Sequence, residues 1–181
     1  PFGAQPSGIG KSCLSLYRPC LLVTFGISGS GKSRFAKEFE GKEYVRVCPD
    51  DIRLELLGDI SDQSRGNEIF IIAFSRVAKA LREGQSVVFD STALSFPTRK
   101  RLLDIANRYD ATTIIVALTD SADVELCKRR VKKDLDSGVV RSNTLAKENI
   151  IDSQHDRYMR ELPNLAQENW SSQLFFPTVT L

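Results

Sequence analysis

The stretch CLLVTFGISGSGKSRFAKEF, residues 20 to 39, constrains the fold more than any other part of the chain. Six apolar or β-prone residues lead into a Gly/Ser-rich run, and apolar and charged residues at helical spacing follow. Within it Gly26, Gly31, Lys32 and Ser33 stand at the spacing G-x-x-x-x-G-K-S, after an expected strand and at the opening of an expected helix. Glycines let the backbone turn so that successive N–H groups point inward. The result is a nest for phosphate oxygens, reinforced by the positive end of the following helix. Gly26, Ser28, Gly29, Ser30, Gly31 and Lys32 would then wrap nucleotide phosphates, with Lys32 reaching the β- and γ-phosphates and the Ser33 hydroxyl ligating Mg²⁺. A second run, SGIGKS at 7 to 12, has similar letters, but Gln5 stands where the first glycine belongs and no strand leads in.

From residue 20 onward, short apolar runs alternate with amphipathic segments. Strands are expected near 20–25, 44–48, 86–90, 112–118 and 172–176, and helices near 32–39, 50–57, 65–83, 96–108, 121–133 and 144–161. Strands that are apolar throughout and separated by helices imply a parallel sheet covered on both faces. A length of 181 residues suits one domain. The expectation is an α/β P-loop NTPase fold over 20–181, a parallel sheet of about five strands flanked by helices with a helical lid, ligands meeting the carboxyl ends of the strands. Residues 1–19, mixing Gly, Pro and Ser without period, read as an arm or linker.

Composition narrows the partners only a little. Lys plus Arg number 25 against 23 Asp plus Glu, so any basic site must be local. Cys13, Cys20, Cys48 and Cys127 lie far apart without paired metal-ligand spacing, and no signal sequence precedes them, which leads us to expect reduced thiols in a cytoplasmic protein. No apolar run approaches the roughly 20 residues of a membrane helix.

Three further clusters bear chemistry. VCPDDIR, residues 47–53, follows the second strand, where Asp50 is placed to take the proton of an acceptor hydroxyl and Arg53 to contact a neighbouring anionic group. Asp50 capping a helix that begins at Asp51 is the plainer alternative. SVVFDST, 86–92, ends a strand at Asp90, a position for an acidic group near the metal, acting directly or through water, or simply capping the next turn. CKRRVKKDLDSGVVR, 127–141, is either a solvated helix end or a lid whose cations, Arg129 and Lys133 on one helical face among them, meet the charge of a transferring phosphoryl group.

FGISGSGKS, CPDDIR, VVFDSTALSFPTRKRLLDIANRY and LCKRRVKK occur in the order and spacing of the phosphate-loop polynucleotide 5′-hydroxyl kinases, and residues 20 to 165 resemble the kinase of phage and bacterial end-repair enzymes. The resemblance implies transfer of a phosphoryl group from ATP or another NTP, with Mg²⁺, to the 5′-OH end of an RNA or DNA partner, in a chain open to fusion with further repair domains. It implies phosphate and metal contacts at Lys32 and Ser33, a general base at Asp50, a 3′-phosphate contact at Arg53 and a lid arginine at Arg129. Two positions depart from the pattern. Lys133 stands where many members have a second lid arginine, and STA after Asp90 replaces the commoner ATN, so Ala93 lacks an amide.

Related kinases of metabolites or nucleotides share the loop and the strand-end Asp. A regulatory NTP-binding module shares the loop alone. Asp50 favours a kinase over such a module, which needs a water-orienting residue instead. A basic groove leading to Asp50, with PTRKR at 97–101 and the lid cations as candidates to line it, would favour a polynucleotide over a metabolite.

Overall fold

In the computed structural model, residues 18–41, 43–141 and 149–177 are described. The arm at 1–17 and the phosphate-loop-like run at 7–12 lie outside them. Five strands, β1 (Cys20–Phe25), β2 (Tyr44–Val47), β3 (Ser86–Phe89), β4 (Thr112–Leu118) and β5 (Ser172–Phe176), form one sheet in the order β2-β3-β1-β4-β5. Every pairing is parallel, with Leu22 opposite Val88 and Ile114, Val45 opposite Val87, and Val116 opposite Leu174. The sheet is the parallel, helix-flanked one that its apolar strands imply.

Those strands are apolar at successive positions because both faces are covered. Leu21, Val23 and Phe25 of β1 point into a large core with Val87, Phe89, Ile115 and Ala117. α2 (Pro49–Leu57), α3 (Gly66–Arg82), α4 (Phe96–Arg108), α5 (Val124–Asp136) and α6 (Ile150–Glu161) all contribute to it. Leu22, Val88, Val116 and Leu118 point the other way, onto Phe35 and Ala36 of α1 (Lys32–Phe39). The inner strands bury nearly every side chain, and only edge strand β5 is largely exposed.

Two helix starts differ from expectation. Residues 119–122 form a 3-10 turn, and α5 begins after Asp123 because that carboxylate accepts the Leu126 N–H at 2.9 Å, an N-cap that fixes the boundary. α2 begins at Pro49 behind Cys48, which places Asp50 inside the first turn rather than at the cap. Residues 144–148 of the expected last helix lie outside the described residues. Among the described residues, no helix is long and apolar enough to cross a membrane.

Parallel register brings the carboxyl ends of β1, β2 and β3 together, and backbone hydrogen bonds join the loops that leave them. Asp90 N–H donates to the Val47 carbonyl at 2.9 Å, and Gly26 N–H to the Thr92 carbonyl at 3.1 Å. α6 is anchored by Tyr158, whose ring stacks on Phe25 at 5.1 Å and whose hydroxyl donates to the Leu118 carbonyl at 3.3 Å.

Arg99 of α4 is fully buried. Its guanidinium lies over Phe25, donates to the Ala93 carbonyl at 2.9 Å, and reaches Glu161 at 2.8 Å and Glu168 at 2.7 Å. It therefore locks the turn after β3 to the 3-10 helix that follows α6 (Leu162–Gln167). Of the run PTRKR, a candidate groove lining, Thr98 lines a cavity, while Arg99 faces the core and Lys100 pairs with Asp104 on its own helix. Arg99→Met strands two carboxylates, one of them with a side chain only 5% exposed. We expect a loss of about 3–5 kcal/mol, the scale for breaking a buried ion pair from one side. Chemical denaturation checks it, and a change below about 1 kcal/mol would show that the pair carries no net stability.

Candidate active site

The loop between β1 and α1 closes tightly on its surroundings. Gly29 has φ 84° and sits where a Cβ would come within 2.4 Å of the Cys127 carbonyl oxygen, so no side chain fits there. Gly31, at φ 93°, is the residue from which α1 starts. The first N–H groups of α1 have no partner inside the helix by its geometry and face the loop, the arrangement that receives an anion. The Ile27 N–H donates to the Ser121 Oγ at 3.1 Å and the Ser28 N–H to Gln154 Oε1 at 2.8 Å. Gln154 is one turn before Tyr158 on α6, so the anchor of that helix also presents the amide to the loop. Arg130 braces the outer side, donating to Asp120 at 2.7 Å and to the Gly29 carbonyl at 3.4 Å.

Lys32 is 8% exposed, and its Nζ donates to the Ile27 carbonyl at 2.6 Å. Burial lowers its pKa to about 8, against the opposing pull of Asp90. Beside it the Ser33 hydroxyl donates to Asp90 Oδ1 at 3.3 Å. The other oxygen of Asp90 takes two N–H groups of Arg46, at 2.6 and 3.0 Å, and the same guanidinium also reaches Asp51. Asp90 is thus buried between a hydroxyl and a cation. Cys48, on the same wall, is inert, because burial and then Asp90 push its thiol up to about 12.

Lys32, Ser33, Asp50, Asp51 and Asp90 line one cavity of 320 Å³, with Val139, Val140 and Arg141 also in its wall. The glycine cradle and the buried lysine fit the phosphates of a nucleotide. The Ser33 hydroxyl and Asp90 carboxylate are the hard oxygen donors that suit Mg²⁺. A second cavity of 230 Å³ shares Asp50, Asp90 and Thr92 and adds Arg53, Gln63 and Phe70. Arg53 is 4% exposed, donates from Nη1 to Asp50 Oδ1 at 2.5 Å, and has a buried Nε with no partner among the described residues.

The structure therefore gathers Lys32, Ser33, Asp50 and Asp90 at one cavity and sets Arg53 at its neighbour. Arg129 and Lys133 stand apart. α5 turns Cys127 and Val131 inward, four residues apart, and Arg129, two on from Cys127, is exposed on the outward side with Lys133. From the 127–141 run it is Arg141, paired with Asp134, that lines the cavity, together with Lys32, Lys37 and Arg46. Arg46 and Gln154 escaped the sequence reading, and Arg141 was included only as the end of the 127–141 run, not singled out. For Arg46 the available signal was a cation in the middle of the strand YVRV.

A pH dependence follows from Lys32. Below its pKa of about 8 the ammonium is already charged; above it, phosphate binding must take up a proton, so affinity falls as pH rises. We expect ATP affinity to be flat from pH 7 to 8 and then to drop by up to about tenfold per pH unit. Calorimetry in buffers of different ionisation heat reads the proton uptake directly, which Lys32→Met should abolish. Equal affinity at pH 7 and pH 9.5 would contradict the assignment.

Comparison with known proteins bears on the family and the fold. A family model described as AAA domain matches residues 21–162. A protein of Autographa californica nuclear polyhedrosis virus named bifunctional polynucleotide kinase/RNA ligase is 32% identical over 120 residues, covering 59% of this chain. The match spans only 16% of that relative's length. A chain of the Pnkp1/Rnl/Hen1 RNA repair complex superposes with a TM-score of 0.66 at 22% identity, over 82% of this chain and 46% of that one. Kti12 of Chaetomium thermophilum, solved in complex with ADP-AlF3, does so with a TM-score of 0.65 at 15% identity, over 87% and 88%. With a phosphate loop in its structural setting and a family model spanning most of its length, the chain belongs to the AAA-domain family.

Proposed function

We propose that the chain is a kinase that moves the γ-phosphate of ATP, or another NTP, onto the 5′-OH end of an RNA or DNA strand in nucleic-acid end repair. The observation that carries this reading is the pairing of Asp50, which lines both cavities, with a buried Arg53 whose Nε has no partner among the described residues. A buried guanidinium with an unsatisfied donor suits an anionic group on the acceptor, a phosphate next to the reacting hydroxyl. The viral relative, a polynucleotide kinase by name, supports the same acceptor class.

In this reading the loop N–H groups and Lys32 hold the triphosphate, and Asp50 orients the acceptor hydroxyl. As the hydroxyl oxygen bonds to the γ-phosphorus, the bond to the β–γ bridging oxygen breaks and the diphosphate leaves. Asp50 takes the hydroxyl proton. Ser33 and Asp90 would hold Mg²⁺, which would neutralise phosphate charge. The cation assigned to the transferring group is Arg141, which lines the cavity, in place of Arg129. An NTP-binding module without an acceptor leaves Asp50 and Arg53 without a task.

Asp50→Asn should keep triphosphate binding and lose transfer by about 10²-fold or more, since the amide keeps the shape but cannot take the proton. Arg53→Met should penalise a nucleoside 3′-monophosphate more than the matching nucleoside, by roughly 10- to 150-fold for a lost charge-assisted contact. The check is steady-state transfer to both acceptors by all three proteins. Equal losses on the two acceptors would remove Arg53 from the acceptor site, and robust transfer by Asp50→Asn would remove the base.

A further inference from the structure

A third cavity, of 460 Å³, continues from the acceptor site. It shares Ser91, Thr92, Phe70 and Gln154 with the cavity that holds Arg53, and runs away from the phosphate loop. We propose that it binds the acceptor strand beyond its first nucleotide, with Arg157 and Arg160 on the following phosphodiesters and Phe70 offering a face to a base. This deepens the function proposed above and rests on it.

Three observations support a strand rather than a compact acceptor. Charge is the first. The lining contains two arginines and no carboxylate. Arg157 and Arg160 are exposed, three apart on one side of α6, and neither has an ion-pair partner among the described residues. Glu161, next to Arg160 in sequence, is held by the buried Arg99 and does not neutralise them. A pair of uncompensated cations beside a catalytic opening attracts a polyanion.

Position is the second. The stripe Ser153, Arg157 and Arg160 adjoins the buried stripe of Ile151 and Tyr158, so the anchor that packs α6 on Phe25 also fixes where the cations stand. Gln154, between the stripes, touches the phosphate loop and lines the cavity, tying the distances of the three subsites together. The third is the aromatic. Phe70 of α3 is half-buried against Phe74, with ring centroids 5.9 Å apart, and its remaining face lines both the Arg53 cavity and this one. Bases of any identity stack on such a face, so the groove favours a strand without dictating its sequence.

The test is a ladder of 5′-OH acceptors of matched first nucleotide: nucleoside 3′-monophosphate, dinucleotide and tetranucleotide, assayed with wild type and Arg157→Gln/Arg160→Gln. Wild-type kcat/KM should rise with length, and the double variant should cut the tetranucleotide-to-monophosphate ratio by on the order of tenfold, as for two exposed charge contacts. The salt dependence of kcat/KM for the tetranucleotide should also become shallower, by about 0.7 in log–log slope per lost phosphate contact. Transfer to the monophosphate reports that the variant is folded. A wild-type ratio retained by the variant, or no gain with length in the wild type, would overturn the groove while leaving the proposed kinase intact. Failure of the wild type to phosphorylate any 5′-OH nucleotide overturns both.

Discussion

The buried carboxylate of Asp90 is the point on which the site depends. It follows β3 directly, accepts the Ser33 hydroxyl from α1, and takes both a 2.6 Å and a 3.0 Å hydrogen bond from Arg46 of β2. One charge thus joins the start of α1, the strands β2 and β3, and, through Arg46 and Asp51, the start of α2. An isolated carboxylate at 3% exposure would be expensive to bury. Arg46 makes it tolerable, and in doing so leaves Lys32 with an incomplete counter-charge. Burial then prevails at Lys32, lowering its pKa to about 8. The missing negative charge is what a triphosphate brings, so the loop is electrostatically prepared for its ligand.

The same economy of parts appears on the acceptor side. α2 starts at Pro49, directly after β2, and its first turns place Asp50 and Arg53 three apart on one face. The helix start supplies geometry and the strand order supplies location, since β2 and β1 flank β3 and their carboxyl ends open on one crevice. Arg99 secures the opposite bank, holding Ala93 in a positive-φ turn so that Thr92 lines all three cavities. The chain reaches its Arg99 network with residues from α4, α6 and the 3-10 helix after it, elements far apart in sequence.

Much of this was legible in the sequence because the signals were local. The five strands announced themselves by apolar runs, and Gly26 to Ser33 by a spacing that only one loop conformation explains. Asp90 was found because it follows a strand directly, and Asp50 because it lies just beyond one. What stayed hidden depended on helix phase and long-range pairing. Arg129 looked suitable by spacing, but the inward face of α5 is set by Cys127 and Val131, and the cavity wall comes from Val139 to Arg141 after the helix has ended. The PTRKR run looked like a basic surface, yet Arg99 is needed in the core by Glu161 and Glu168, which lie more than 60 residues away. Arg46 was read as part of a strand, and its partner, Asp90, follows the next strand, more than 40 residues further along the chain.

The central claim is that this crevice delivers phosphate to a strand end. The most direct measurement is transfer from γ-labelled ATP to a mixed panel of 5′-OH RNA and DNA oligonucleotides, nucleosides and small alcohols, with the labelled product identified by mass and nuclease digestion. The account predicts label on the 5′ end of an oligonucleotide in preference to every small acceptor. Label on small alcohols or nucleosides alone, or release of inorganic phosphate with no acceptor labelled, would contradict it.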